Sequence, residues 1–140
     1  MSVLLAIDPG RVSGWALYGD RILLALGVSD GDRPETFPQV LPDQVVVERP
    51  ESRGSRGAPA DDLIALALRA GLFAGWYRAP ITWARVSSWK GSLSKTIVHM
   101  RAVERLTAPE RNTLAAARPG PDTLDAVAIG LWALGRARFI

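Results

Sequence analysis

Four acidic residues in this sequence stand where carboxylates can converge on one site. Asp8 directly follows the apolar run 4–7, and Glu48 directly follows three valines. Asp122 and Asp125 lie three residues apart on one helical turn, so both side chains share a face, about 5–6 Å apart at Cβ. Such a cluster repels itself and raises its own pKa values unless cations neutralise it. Two Mg²⁺ ions roughly 4 Å apart would do so and would support phosphodiester hydrolysis.

Each acid also has a purely structural explanation. Asp8 begins an Asp-Pro-Gly turn, and Asp122 and Asp125 are typical of a first helical turn, where the macrodipole favours negative charge. Glu48 is harder to explain in this way, because a core strand prefers an apolar residue. Only the four acids together indicate a metal site.

The amino-acid composition limits the kinds of catalytic and metal site that the chain can form. The chain of 140 residues has no cysteine, and His99 is its only histidine. A disulfide partner, a thiolate zinc site and a cysteine nucleophile are therefore excluded. A metal would bind oxygen ligands, which favours Mg²⁺ or Mn²⁺ over zinc or copper. We expect His99 to be a packing or capping residue.

Positive charge is concentrated in the middle of the chain. The net charge is +3, but residues 1–48 carry three arginines against seven acids, whereas residues 49–111 carry eleven lysines or arginines against five acids. This distribution suits a polyanion such as nucleic acid, and solubility alone is the alternative explanation.

The sequence predicts a cytoplasmic protein with no membrane partner. The N-terminus begins directly as a strand, without the pattern of a secretory signal. The longest apolar stretch, 63–77, is interrupted by Arg69 and is too short to span a bilayer.

The remaining pattern predicts a single α/β domain over residues 1–140. An antiparallel meander of three strands precedes a buried strand at 44–50, which we expect to run parallel to the first. A further strand is predicted at 81–86, followed by the loop 87–93. The predicted helices cover 61–78, 95–106, a short segment from Pro109, and 122–137. The result is a mixed five-stranded sheet with helices on its faces.

Four segments taken together resemble the RuvC-like Holliday junction resolvases of the RNase H-like superfamily. They are IDPG at 7–10 with Gly14, VVVERP at 45–50, WKGSLSKTIVHMRAVERL at 89–106, and DTLDAVAIGLWA at 122–133. The resemblance implies an RNase H-like fold with helices on both faces of the sheet, and a homodimer. It also implies magnesium-dependent paired nicking of four-way DNA junctions. A length below that of typical bacterial RuvC favours a compact viral or mobile-element member.

The resemblance also implies site residues. Two Mg²⁺ ions, for which Mn²⁺ would substitute, would be bound by Asp8, Glu48, Asp122 and Asp125. The only two lysines, Lys90 and Lys95, match family lysines that contact phosphate near the cut, where they would offset developing charge.

Further DNA contacts are predicted from residue type. Arg49, Arg53 and Arg56 would follow phosphates. Trp89, in a loop beside Lys90, would contact a base or sugar. The loop after Glu48 lacks the aromatic residue that the family places at the junction centre.

The remaining tryptophans are predicted to lie in the core: Trp15, Trp76, Trp83 and Trp132. Helix 61–78 is apolar almost all round and carries small residues that allow close approach, namely Ala70, Gly71, Ala74 and Gly75. One face would pack on the sheet and the other on a second copy. A helix buried wholly within one chain is the alternative.

Other functions remain open at this point. The same acids serve RNase H-like nucleases that act on RNA·DNA hybrids or other branched DNA. A non-cleaving DNA-binding module is a second alternative, against which the presence of all four acids argues. A fragment of a sugar kinase or chaperone-type ATPase is a distant third, since this chain lacks room for a second lobe.

Overall fold

The computed structural model describes residues 1–51 and 60–140. Within them, five strands form one sheet in the order β3-β2-β1-β4-β5: β1 (Val3–Asp8), β2 (Val12–Gly19), β3 (Ile22–Asp30), β4 (Gln44–Arg49) and β5 (Ile81–Arg85). The pairs β1–β2 and β2–β3 are antiparallel, whereas β4 runs parallel to β1 and β5. The predicted mixed sheet is confirmed.

Helices pack on both faces of this sheet, as predicted. The helices in the described residues are α1 (Ala60–Trp76), α2 (Val86–Trp89), α3 (Lys95–Glu104), α4 (Ala108–Ala117) and α5 (Pro121–Ala133). The core on one face contains Ala70 and Phe73 of α1, and the core on the other contains buried residues of α3 and α5. None of the helices in the described ranges has the length and apolar character needed to cross a membrane.

Local capping explains where α3 and α4 begin. Ser94 caps α3, its hydroxyl accepting the backbone N–H of Ile97. Thr107 and Glu110 form a reciprocal capping box at α4, whose first turn carries a proline. The largest differences from the predicted boundaries are that α5 ends at Ala133 and that part of the predicted loop 87–93 is the short helix α2.

The tryptophan predictions are partly wrong. The side chain of Trp89 is 0% exposed and packs edge-on against Phe139, with ring centroids 5.8 Å apart. A fully buried ring offers no face to a base, which contradicts the predicted base or sugar contact. Trp76 and Trp83 are instead half-exposed, because one lies on the outer face of α1 and the other on the edge strand β5.

Candidate metal centre at the sheet edge

Parallel pairing of β1 and β4 brings two of the predicted acids to one edge of the sheet. Ile7 pairs with Val47, so Asp8 and Glu48 each follow by one residue at the same end. Alternation along each strand turns both side chains toward the face covered by α3 and α5. The predicted convergence of these two strand ends is observed.

Helix α5 brings the other two acids to the same edge. Gly14, the β2 partner of Asp8, lies so close to the start of α5 that a Cβ would overlap the carbonyl of Asp122 and come within 2.7 Å of the Thr123 nitrogen. The Tyr18 hydroxyl donates to the Val127 carbonyl over 2.8 Å, which ties α5 to β2. The absence of a side chain at Gly14 therefore permits Asp122 to approach Asp8.

Three of the four carboxylates form a tight group. Asp8, Asp122 and Asp125 each offer one ligand atom, and these atoms lie within 4.8 Å of one another. Glu48 lies next to this group but is not one of the three residues whose ligand atoms approach one another this closely. Its charge is nevertheless near enough to raise the pKa of Asp8.

Two residues of α3 hold Asp125 from opposite oxygens. Lys95 Nζ lies 3.2 Å from Oδ2, and His99 Nε2 lies 2.7 Å from Oδ1. Lys95 and His99 are four residues apart and therefore share a helix face. Partial burial alone would lower the pKa of Lys95, but Asp125 and the other carboxylates raise it above its ordinary value.

Glu48 faces a different pair of residues. Lys90 Nζ lies 4.0 Å from Glu48 Oε2 and 5.0 Å from the centre of the Trp89 ring. In the part of the chain that the structure describes, two buried side-chain atoms have no hydrogen-bond partner, Glu48 Oε2 and Trp89 Nε1. The indole N–H is still near enough to favour the charged form of Glu48.

Asp8 and Glu48, near the ends of β1 and β4, both have raised pKa values. Burial, followed by the charges of Glu48, Asp125 and Asp122, raises the pKa of Asp8 well above its ordinary value. Burial also raises the pKa of Glu48, and the Lys90 ammonium only partly opposes this. The cluster therefore carries negative charge that the nearby side chains do not fully neutralise.

This donor set fits divalent metal ions. Several carboxylate oxygens converge, their mutual repulsion is incompletely relieved, and the buried oxygen Glu48 Oε2 has no hydrogen-bond donor. Hard cations such as Mg²⁺ and Mn²⁺ prefer such oxygen ligands.

The predicted DNA-contacting residues fall into three groups. Lys95 is exposed beside the acids, with 58% of its side chain accessible. Arg49 is also exposed, but alternation along β4 turns its side chain to the opposite face of the sheet, beside Ala70 and Trp83. Only 11% of the Lys90 side chain is accessible, so its contact with phosphate stays a prediction. Arg53 and Arg56 lie outside the described residues.

His99 is the site residue that sequence reasoning assigned to packing or capping. A signal was present in its spacing, because position 99 is one helical turn after Lys95 and shares its face. The partner of that face, Asp125, lies on another helix and was not evident from the sequence.

Comparison with known proteins identifies structural relatives but no sequence relatives. No family model and no curated protein matches the chain. RuvC of Thermus thermophilus is 19% identical, covering 97% of this chain and 98% of that one, with a TM-score of 0.59. The same protein in complex with a Holliday junction substrate is 19% identical over 99% of both chains, with a TM-score of 0.56. The fowlpox virus resolvase, in complex with Holliday junction DNA, is 16% identical over 95% of this chain and 97% of that one, with a TM-score of 0.60.

Similarity at this level of identity establishes the fold. The predicted RNase H-like architecture of the RuvC type is confirmed. A viral or mobile-element origin stays a prediction.

Proposed function

We propose that this protein is a divalent-metal-dependent endonuclease that resolves four-way DNA junctions by paired symmetric nicks. The observation that carries the proposal is the convergence of Asp8, Asp122 and Asp125 within 4.8 Å, with Glu48 beside them. Residues 1–140 would act as one nuclease domain.

The four acids are the residues that would hold the ions. Mg²⁺ is the proposed cofactor, with Mn²⁺ able to substitute and two ions in each active site. Bound ions of this kind activate a water and stabilise the leaving oxygen during phosphodiester hydrolysis. The chain itself contributes the rigid placement of the carboxylates, since Asp8 and Glu48 end core strands and Asp125 is buried in α5.

Lys95 is proposed to contact DNA phosphate beside the acids. Its ammonium is exposed and bound to Asp125, so it can exchange that carboxylate for a phosphate oxygen when the acids bind cations. Its positive charge would then offset charge developing on the phosphate. Arg49 follows Glu48 in β4 and would contact the DNA backbone from the opposite face of that strand.

Junction DNA is the proposed substrate because of the fold and the charge distribution. T. thermophilus RuvC and the fowlpox virus resolvase share the fold and have structures with Holliday junction DNA. The basic middle of the chain suits a polyanion.

The proposed enzyme is a homodimer joined through α1. One face of α1 buries Ala70 and Phe73 against the sheet. The opposite face carries an apolar stripe four residues apart, 44–70% exposed: Ile64, Leu68, Leu72 and Trp76. A Cβ at Gly71 or Gly75 would meet no atom within 4 Å, so a second helix has room to approach. Two identical sites related by a twofold axis suit two cuts in a symmetric junction.

The function is tested by substrate choice. The protein is incubated with a synthetic four-way junction, a linear duplex and an RNA·DNA hybrid, each with and without Mg²⁺, and the cut positions are mapped. We expect Mg²⁺-dependent symmetric nicks with 5′-phosphates in the junction alone. Cleavage of the hybrid alone would overturn the proposal in favour of a hybrid nuclease, and binding without cleavage would identify a DNA-binding module.

The dimer is tested separately by the mass of the protein in solution. Light scattering after size exclusion should give a dimer for the wild type and a monomer for Leu68→Arg, because an arginine in the stripe would have to be buried. Leu24→Arg, at a half-exposed leucine on β3, is the control and should remain dimeric. A wild-type monomer at micromolar concentration would contradict the proposed interface.

A further inference from the structure

We propose that His99 is a positioning residue that holds the carboxylate of Asp125 in the orientation in which it binds a divalent ion. This inference rests on the proposed metal-dependent function and adds a residue to it. His99 would not touch the ion or the DNA. It would act through the hydrogen bond from its Nε2–H to Asp125 Oδ1.

The geometry favours a tightly held pair. The Nε2–Oδ1 distance is 2.7 Å, and only 4% of the Asp125 side chain and 17% of the His99 side chain are accessible to solvent. A carboxylate oxygen accepts, so His99 donates from Nε2 and its proton is assigned there. A hydrogen bond to a charged group shielded from water is stronger than an exposed one.

The backbone around His99 is fixed by packing. Two residues of the same helix, Val98 and Ala102, are completely buried where α3 packs against the core. On α5, the residues that follow Asp125 are also completely buried, beginning with Ala126 and Val127. The two helices therefore present His99 and Asp125 to each other from rigid positions.

Lys95 cannot perform the same positioning role throughout the reaction. It binds the other oxygen of Asp125, but more than half of its side chain is exposed. In the proposed function, it also leaves Asp125 to bind a DNA phosphate. His99 has no comparable freedom, because it is wedged between two packed helices. When Lys95 changes partner, the His99 bond remains to stop the Asp125 carboxylate from rotating.

The bond also leaves Asp125 able to bind an ion. One hydrogen bond to Oδ1 leaves further lone pairs on both oxygens. Hydrogen-bonded partners of metal ligands orient those ligands, and their removal typically costs about 10–100-fold in metal affinity. A partner that served helix packing alone would affect the melting temperature but not the affinity of the folded protein for metal.

The test uses Mn²⁺ binding by the DNA-free protein, followed by the electron paramagnetic resonance signal of free Mn²⁺. His99→Gln places an amide N–H near the position of Nε2, whereas His99→Asn places its amide near Nδ1, too short to reach Asp125. We expect His99→Asn to weaken Mn²⁺ binding about 10–100-fold and His99→Gln to retain most of the affinity. Met100→Leu, at an exposed neighbour on the same helix, should match the wild type.

Two further measurements separate positioning from packing. Melting temperatures in EDTA should be similar for the Gln and Asn variants, since both replace the imidazole with an uncharged amide side chain. The Mg²⁺ concentration for half-maximal junction cleavage should rise in His99→Asn by the same factor as the Mn²⁺ dissociation constant, with cleavage largely recovered at saturating Mg²⁺.

Several outcomes would overturn the inference. They are equal Mn²⁺ affinity in His99→Asn and the wild type, equal losses in the Gln and Asn variants, and a wild-type protein that binds no Mn²⁺. If Mn²⁺ binding depends on His99 but no junction is cut, the inference stands and the proposed function fails.

Discussion

Two sites with buried acidic side chains, the carboxylate cluster and the single residue Glu110, lie at opposite ends of the sheet and differ in how their charge is balanced. At the end of the sheet where β1 and β4 stop, the nearby lysines only partly balance the charges of Asp8 and Glu48. At the other end, Glu110 is enclosed by donors. Arg136 binds both of its oxygens, at 2.7 and 2.8 Å, and the backbone N–H groups of Leu23 and Thr107 complete the set.

The opposite pKa shifts follow from this difference. Burial alone would raise the pKa of Glu110, but Arg136 and the two backbone donors lower it to about 2. Burial and neighbouring carboxylates raise the pKa of Asp8 instead. Burial of an acid therefore does not by itself indicate function; a shortage of donors around it does.

The largest expected effect is on catalysis, from a change in the acid cluster. Asp8→Asn removes one proposed metal ligand and should lower junction cleavage by at least about 10²–10³-fold. Binding of the junction, measured by gel shift, should be unchanged or tighter, because a negative charge near phosphate is lost. Asp62→Asn, at an exposed acid in α1, should cleave normally. Loss of binding by Asp8→Asn would count against the assignment.

The next effect is on stability, from the other acid. Glu110→Gln leaves Arg136 without its counter-charge and should lower the free energy of unfolding by about 3 kcal/mol, measured by urea denaturation. The exposed pair Arg33–Glu35 supplies the control, and Glu35→Gln should change stability by less than about 1 kcal/mol. Unaltered stability in Glu110→Gln would remove the contrast between the two sites.

The two sites should also respond to pH in opposite directions. The pKa of Glu110 is about 2 when folded against an ordinary value of 4.5, so its stabilising contribution is present above 4.5 and lost as pH falls toward 2. The raised pKa values of Asp8 and Glu48 act the other way, with stability lost as pH rises through them. Melting temperatures in EDTA should therefore fall less steeply with acid in Glu110→Gln than in the wild type.

A smaller effect should follow from Gly14, which lets α5 approach Asp8. A Cβ at Gly14 would overlap the backbone of Asp122, so Gly14→Ala should cost about 1–3 kcal/mol of stability and weaken Mn²⁺ binding. Gly120→Ala is the matched control, because a Cβ there meets no atom within 4 Å. Normal Mn²⁺ affinity in Gly14→Ala would show that the approach of α5 is not needed for the site.

The smallest expected effect concerns Lys95, whose ammonium competes with cations for Asp125. Lys95→Met should strengthen Mn²⁺ binding to the DNA-free protein about 2–5-fold, the worth of one partly exposed ion pair. Lys95→Arg keeps the charge and should show no such gain. Weaker Mn²⁺ binding in Lys95→Met would mean that this lysine organises the acids rather than competing for them.

Much of the metal centre was predictable because its signals are local. Asp8 stands at the boundary between a strand and an Asp-Pro-Gly turn, and Glu48 directly follows three valines. The three-residue spacing of Asp122 and Asp125 specifies a shared helix face. Parallel pairing of the two strands was a long-range assumption, and it proved correct.

The tryptophans and Glu110 were not predictable in this way. Trp83 and Trp89 exchanged their predicted environments, because burial depends on which element covers a ring and not on its neighbours in sequence. Glu110 binds Arg136 across 26 residues, with no pattern linking the two. The sequence allows Glu110 to be predicted as the partner of Thr107 in a capping box. It does not allow the burial of Glu110 to be predicted.

The sequence by itself determined the strands, the starts of the longer helices and the identity of the acids, because alternation, capping and turn chemistry act over a few neighbouring residues. Tertiary structure alone decided which acids are neutralised, that His99 binds Asp125, and which face of α1 is exposed among the described residues. Those outcomes depend on how distant segments cross, and hydrogen bonds and burial are sensitive to differences of about an ångström that no local pattern encodes.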